Sequence, residues 1–170
     1  MHGAPAPIIR CVLESDAAAV QAIYAYHVLN GTASYDIEPP PLEYMLEKIA
    51  WVVGEGWPFL IAEKDEQVVG YAYATQFRDR AAYRFTCEDS IYVRHDMTGR
   101  GIGKLLLQSL LERSAVCGFQ QMVAVIGGAD PTSVALHASW GFHDAGRLKA
   151  VGWKKERWLD NLYMQRKLGS

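Results

Sequence analysis

Between Ile91 and Gly118 an apolar run, a glycine-rich stretch and a leucine-rich periodicity follow one another without a break. Ile91-Tyr92-Val93 has the β-branched and aromatic character of a strand. Gly99-Arg100-Gly101-Ile102-Gly103-Lys104 then sets three glycines at alternate positions. Ile102, Leu105, Leu106, Leu110 and Leu111 recur at helical spacing, and Gly118 ends the run. A strand passing through such a loop into a helix confines the chain to layered folds in which helices lie on a sheet. Without Cβ atoms the loop backbone can approach a ligand closely and take up φ > 0. The helix N-terminus offers unpaired N–H groups and a partial positive charge, which suit phosphate oxygens, and Arg100 and Lys104 add cations. The segment reads as a pyrophosphate cradle, although its spacing alone fits a glycine turn before a core helix equally well. It is neither a Walker loop, since Leu105 follows Lys104, nor the G-x-G-x-x-G of dinucleotide folds.

The rest of the chain alternates between the same two kinds of element. Ile8 to Leu13 reads as a strand, and Ser15 or Asp16 can cap the helix that follows, with Ala19, Ile23, Tyr26 and Asn30 on one face. Pro39-Pro40-Pro41 interrupts, and a second helix runs near Leu42 to Val53 with Met45, Leu46 and Ile49 on one side. Phe59 to Glu63 and Val68 to Phe77 form a hairpin across Lys64-Asp65-Glu66-Gln67, a polar turn without the Asn-Gly pair of two-residue connections. Tyr83 to Val93, Gln121 to Ile126, Phe142 to Gly152 and Arg157 to Lys167 are further strands, and Asp130 to Trp140 is a helix. The order β-α-α-β-β-β-α-β-α-β-β predicts a mixed α/β (α+β) sheet with helices on its faces.

The 170 residues suffice for one domain, 1–170, and show no repeat or linker. Lys+Arg 17 against Asp+Glu 19 gives a net charge of −2, which argues against bulk electrostatic binding to nucleic acid or an anionic membrane. Cys11, Cys87 and Cys117 are far apart and odd in number, so neither a zinc site nor a disulfide framework is expected, and reduced thiols fit a cytoplasmic protein. Met1 to Pro7 lacks the basic and apolar regions of a secretory signal, and no apolar stretch approaches the roughly 20 residues of a membrane span.

Thr98-Gly99-Arg100-Gly101-Ile102-Gly103 before a leucine-rich helix resembles the acetyl-CoA pyrophosphate loop of the GNAT acyltransferase superfamily. Gly101 and Gly103 match the pattern, whereas Thr98 stands where Gln or Arg is usual. Ser133 to Phe142 resembles the later helix of that family with its closing Gly-Phe. Thr32-Ala33-Ser34-Tyr35 with Glu38-Pro39, Gly70-Tyr71-Ala72-Tyr73-Ala74, Arg80-Ala81-Ala82-Tyr83, Glu88-Asp89-Ser90-Ile91-Tyr92-Val93, Val123 to Gly128, Val151-Gly152 and Arg157-Trp158-Leu159-Asp160 recur in order. Together they are similar to the phosphinothricin acetyltransferase branch, over about Ile8 to Leu168. The resemblance implies a mostly antiparallel sheet of six to seven strands flanked by about four helices. It implies acetyl-CoA as co-substrate, no metal, a homodimer, and direct transfer of acetyl to the α-amine of a small amino acid such as phosphinothricin, methionine sulfoximine or methionine sulfone. Another amine as acceptor, and a non-catalytic acyl-CoA-binding module, are the alternatives.

The resemblance also nominates residues. Glu88 is the expected general base, against the plainer reading of a solvated strand carboxylate. His137 is a second acid or base candidate, against a structural helical histidine. Ile91, Tyr92 and Val93 supply backbone near the thioester, and Gly99, Arg100, Gly101, Ile102, Gly103 and Lys104 hold the pyrophosphate. Asp130 stands where Asn usually contacts the pantetheine arm, or serves only as a helix N-cap before Pro131. Arg78, Arg80 and Tyr83 are the expected anion site of the acceptor, against a solvated basic loop. Thr86 and Cys87 are expected to line its slot, and Tyr35 to cover the acyl site or simply to pack.

Overall fold

The computed structural model describes residues 5–169, so Met1 to Ala4 of the N-terminal stretch lie outside them. The elements run β1 (Ile8–Cys11), α1 (Ala17–Asn30), α2 (Leu42–Gly54), β2 (Phe59–Lys64), β3 (Gln67–Gln76), β4 (Thr86–Val93), α3 (Ile102–Val116), β5 (Gln121–Gly127), α4 (Pro131–Ser139), β6 (His143–Lys154) and β7 (Arg157–Lys167). This is the order read from the sequence. The strands form a single seven-stranded sheet, β1-β2-β3-β4-β5-β7-β6. Every neighbouring pair is antiparallel except β4–β5. No helix among the described residues is long and apolar enough to cross a membrane.

Alternation along the central strands builds two cores. Phe59 and Ile61 of β2 and Tyr71 of β3 turn to the face covered by α1 and α2, where they meet Val20, Ile23, Met45, Ile49 and Val52. Leu60, Ala62, Ala72 and Ala74 turn to the other face, against Ile102, Leu106, Leu107 and Leu110 of α3. A strand buried on both sides reads as a continuous apolar run, which is why Phe59 to Ala62 shows no polar position. Helix α3 lies so close to β3 at Gly70 that a Cβ there would stand 3.1 Å from Leu106 Cδ1 and 3.3 Å from Ile102 Cγ2. The small residue sets the depth at which the loop-to-helix segment rests on the sheet.

Four expectations from the sequence need correction. Tyr83 does not begin a strand: Ala81–Tyr83 is an exposed 3-10 turn, and the ladder starts at Thr86, whose carbonyl accepts from Phe77 N–H. Helix α1 buries Ala17, Val20, Ile23 and Val28 rather than Ala19, Tyr26 and Asn30. Nearly all its residues are apolar or small, so the periodicity has too little contrast to reveal the inward face. In α3, Leu107 is buried and Leu105 is on the exposed side. Finally, the β2–β3 connection is a two-residue turn after all, with Asp65 and Glu66 both left-handed at φ 50° and 60°. Lys155 and Glu156 do the same between β6 and β7.

The feature that positions the site is the failure of the β4–β5 ladder. The two parallel strands pair at Thr86↔Gln121, Cys87↔Met122 and Glu88↔Val123, and no further. Both strands nevertheless continue, β4 to Val93 and β5 to Gly127. Beyond Glu88 they therefore diverge and open a wedge in the middle of the sheet.

Candidate active site

The wedge is the mouth of a cleft of about 1110 Å³. Its walls are the stretches Asp89 to Val93 and Ala124 to Gly127, which no longer pair with each other, with the Gly99–Lys104 loop, α4 and the Gly31–Tyr35 segment around them. Phe77 N–H bonds to Thr86 and Arg94 N–H to Val69, so the even-numbered residues of β4 spend their backbone groups on β3. Those of Asp89, Ile91 and Val93 therefore face the open side. His27 Nε2 donates to Val93 O at 2.7 Å, and the N–H groups remain available to an extended ligand laid along β4.

At the outer end of the wedge the loop turns into α3. Gly99 and Gly101 are left-handed at φ 73° and 79°, and Gly101 is the residue from which the helix starts. No side chain caps that terminus. Its first N–H groups are therefore free for an anion, with Lys104 one turn away beside the cleft. Across the gap Asp130 caps α4, its carboxylate accepting from Ser133 N–H at 2.9 Å with Pro131 at the first helical position.

On the α3/α4 side of β4, Asp89 meets His137. Asp89 Oδ2 accepts from His137 Nε2 at 2.7 Å, and His137 Nδ1 donates to Ser133 O at 2.7 Å. Ser133 O can only accept, which places a proton on Nδ1, and the Asp89 carboxyl group at Nε2 favours a second one there, so the pair is a buried histidine–aspartate contact. Burial works against a charge on His137, but the Asp89 carboxylate and the two hydrogen bonds outweigh it and raise its proton affinity. The histidine braces α4 against β4 where the ladder has just ended.

Glu88 points to the opposite face. Its neighbours there are Ser90 and Tyr92 on β4 and Tyr73 on β3, one pair along from Glu88↔Thr75. Burial and the nearby Asp89 charge raise the Glu88 pKa, while Arg78 and Lys48 pull it partly back. A half-buried carboxylate with raised proton affinity at the edge of a cleft is suited to receive a proton. The sheet thus separates a phosphate-ready loop on the α3/α4 side from a base on the α1/α2 side, and the wedge joins them.

Comparison with known proteins decides what such a wedge belongs to. Residues 9–163 match the Acetyltransferase (GNAT) domain model. The chain is 45% identical over 163 residues to phosphinothricin N-acetyltransferase of Alcaligenes faecalis, covering 95% of this chain and 83% of that one. It is 37% identical over 155 residues to the L-methionine sulfoximine/L-methionine sulfone acetyltransferase of Pseudomonas aeruginosa, covering 89% and 88%. A phosphinothricin acetyltransferase from Sinorhizobium meliloti, solved with acetyl-CoA, superposes with a TM-score of 0.95 at 45% identity over 97% of this chain and 90% of that one.

The chain belongs to the GNAT acetyltransferase family.

Acetyl-CoA is the co-substrate of this GNAT chain, and its residues fit that molecule. The uncapped α3 terminus and the left-handed glycines suit the pyrophosphate, and the unpaired β4 edge suits the amides of the pantetheine arm. Of the residues nominated from the sequence, Glu88, His137, Ile91, Tyr92, Val93, Gly99, Gly101, Ile102, Gly103, Lys104, Asp130 and Tyr35 line the cleft. Arg100 faces a smaller pocket of about 180 Å³ with Lys64 and Arg94.

Cys87 does not line an acceptor slot. Strand alternation sends it into the α3-side core, fully buried, with its thiol against Gln121 O, and burial pushes the thiol pKa up. Arg78, Arg80 and Tyr83 sit on the exposed 77–85 loop, Arg78 over the Phe77 ring and Tyr83 edge-on to it, outside the cleft lining. Thr86 is half-buried on the Glu88 face, before the wedge opens. Tyr35 works as a pin: its hydroxyl donates to Asp160 O at 2.9 Å and accepts from Gly128 N–H. A Cβ at Gly152 would lie 2.3 Å from its ring. The tyrosine thereby fixes the Gly31–Tyr35 wall of the cleft.

Sequence reasoning passed over Asp89, Lys48, Tyr73 and His27. Only Asp89 carried a signal, as a second carboxylate in a strand otherwise suited to burial. The others enter through contacts as distant as His27 with Val93, 66 positions apart.

Proposed function

We propose that the chain transfers acetyl from acetyl-CoA to the α-amine of a small amino acid of the phosphinothricin, methionine sulfoximine or methionine sulfone type, in one ternary complex. The observation that carries this reading is Glu88 at the point where the β4–β5 ladder ends, on the face opposite the pyrophosphate loop. The relatives' substrates supply the acceptor class.

In this reading Glu88 takes a proton from the acceptor ammonium, directly or through water, and frees the lone pair for attack on the thioester carbonyl. Backbone N–H groups on the open edge of β4, at Ile91 or Val93, stabilise the oxyanion of the tetrahedral intermediate. The attacking nitrogen then gives up its second proton to solvent as the C–S bond breaks, and the departing thiolate takes one up, leaving the neutral amide and free CoA thiol. His137 holds β4 and α4 in register for the reaction, since both its ring nitrogens are already engaged. Arg78 and Arg80 serve the oxygens at the far end of the acceptor side chain, those of a phosphinate or a sulfone, approaching from the loop. Free thiol released from acetyl-CoA in the presence of methionine sulfone or phosphinothricin is the direct assay. Saturable turnover supports the reading, and none with any amino acid at millimolar concentration refutes it.

We further propose that the protein is a cytoplasmic homodimer. The free cysteines suit a reducing compartment. Edge strand β6 is exposed along most of its length, and Leu148, Val151, Trp153 and Trp158 gather apolar surface on the β6–β7 hairpin. Sedimentation at micromolar concentration would give twice the 19.0 kDa chain mass if two copies cover that surface.

A further inference from the structure

Lys48 is a cation without an anionic partner, placed beside the base. It lies on the inner side of α2, half-buried, with Nζ 5.1 Å from the centre of the Tyr44 ring and 5.3 Å from that of Tyr73. Nζ donates to Tyr73 Oη at 3.2 Å, and Tyr73 lines the cleft. Among the described residues no carboxylate forms an ion pair with it. A half-buried ammonium is costly unless something compensates it. Here the Tyr44 and Tyr73 side chains do so, and at least one of its three donors is left for a further acceptor.

The placement matters because of what stands next to it. Tyr73 pairs with Ser90, and Thr75 with Glu88, so Tyr73 and Glu88 share one face of the sheet as diagonal neighbours. The charge on Lys48 is felt at Glu88. Lys48 itself stands behind the cleft lining and reaches it through Tyr73, so a carboxylate resting on the Tyr73 hydroxyl would lie beside the ammonium, with the Glu88 carboxylate diagonally across. An α-amino acid carries the complementary pair, an ammonium and a carboxylate on one carbon. The charge of Arg78 acts on Glu88 more strongly than that of Lys48, but its guanidinium is laid over Phe77 on the exposed loop, placed for the far end of the acceptor rather than for the Tyr73 side.

We propose that Lys48, together with the Tyr73 hydroxyl, receives the α-carboxylate of the acceptor while Glu88 faces its ammonium, so that this pair selects zwitterionic α-amino acids over simple amines. The assignment rests on the reading of the chain as an amino-acid N-acetyltransferase and names the residue that enforces it. A second positive charge on the acceptor, as in a polyamine, would be repelled by the same lysine.

The test compares methionine sulfone with the amine left when its carboxylate is removed, 3-(methylsulfonyl)propylamine, on wild type, Lys48→Gln and Lys48→Arg. Wild type should prefer the amino acid by at least about tenfold in kcat/KM, a margin typical of one charge-assisted contact. Lys48→Gln should raise KM for the amino acid about tenfold or more, leave KM for the amine and for acetyl-CoA within about twofold, and so erase the preference. Lys48→Arg should restore part of it. Equal kcat/KM for the two acceptors in wild type, or equal changes for both in Lys48→Gln, would overturn the assignment while leaving the acetyltransferase reading intact. The wild-type comparison stands even if the variants fail to fold. Absence of turnover with every amino acid would remove both.

Discussion

Taking the carboxylate from Asp89 should separate the brace from the chemistry. The Asp89 and His137 side chains are only 4% and 5% exposed, and they meet at 2.7 Å. In Asp89→Ala the ring keeps its bond to Ser133 O, but its buried Nε2 faces nothing. Removing one member of a buried pair costs about 3–5 kcal/mol, because the remaining charge loses its partner and keeps its desolvation. That is a large share of the roughly 5–15 kcal/mol that holds a domain together. At about 2–4 °C per kcal/mol for a chain of this size, the melting midpoint should fall by roughly 6–20 °C. Asp89→Asn should cost far less, about 1 kcal/mol, since a neutral His137 can accept at Nε2 from the amide.

The pH dependence has a definite sign. The folded-state pKa of His137 is raised, against the effect of burial, by the Asp89 charge and by hydrogen bonds to Asp89 and Ser133. Such a group contributes stability that is complete below its unfolded value of about 6.5 and is lost as pH rises through the folded value. The stability gap between wild type and Asp89→Asn should therefore be widest near pH 6 and narrow as the solution becomes more alkaline. Urea unfolding followed by tryptophan fluorescence across that range measures it. An Asp89→Ala variant within about 1 kcal/mol of wild type, or a gap that widens with pH, would refute the ion-pair account.

Other substitutions probe the loop, the turn and the base. Gly101→Ala forces a Cβ onto a residue at φ 79°. It should lose about 1–2 kcal/mol of stability and raise KM for acetyl-CoA more than KM for the acceptor, as urea unfolding and initial rates would show. Glu66→Gly relieves a left-handed non-glycine position at φ 60° and should stabilise the β2–β3 turn by about 0.5–1 kcal/mol, read as a shift in the urea midpoint without a change in slope. Arg78→Ala removes a charge that lowers the Glu88 pKa, so the acidic limb of the kcat/KM profile should move to higher pH.

Much of the fold was legible because its signals are local. Glycine breaks, the leucine periodicity of α3 and the β-branched runs located every helix and strand in order. Three other features depended on contacts a single sequence does not display. The inward face of α1 was hidden by a segment apolar on nearly all sides. The two-residue turns were missed because Asp65-Glu66 and Lys155-Glu156 accept left-handed geometry without glycine, paid for by the ladders on either side. The wedge itself is an absence of pairing beyond Glu88↔Val123, and nothing in the composition of β4 or β5 marks where pairing stops.

The site divides the same way. The cofactor loop is contiguous in sequence and was read as a unit. Cys87 was misplaced because proximity to Glu88 in sequence means the opposite face in a strand. Asp89 was overlooked for the converse reason: its partner lies 48 residues away on α4.

The central claim is that Glu88, at the end of the β4–β5 ladder, removes the proton that keeps the acceptor amine from attacking. Glu88→Gln tests it most directly, with kcat from thiol release and acetyl-CoA affinity from calorimetry on the same preparation. The account predicts a loss in kcat of about 10²–10⁴-fold with the acetyl-CoA Kd within about twofold of wild type. An unchanged kcat would contradict it.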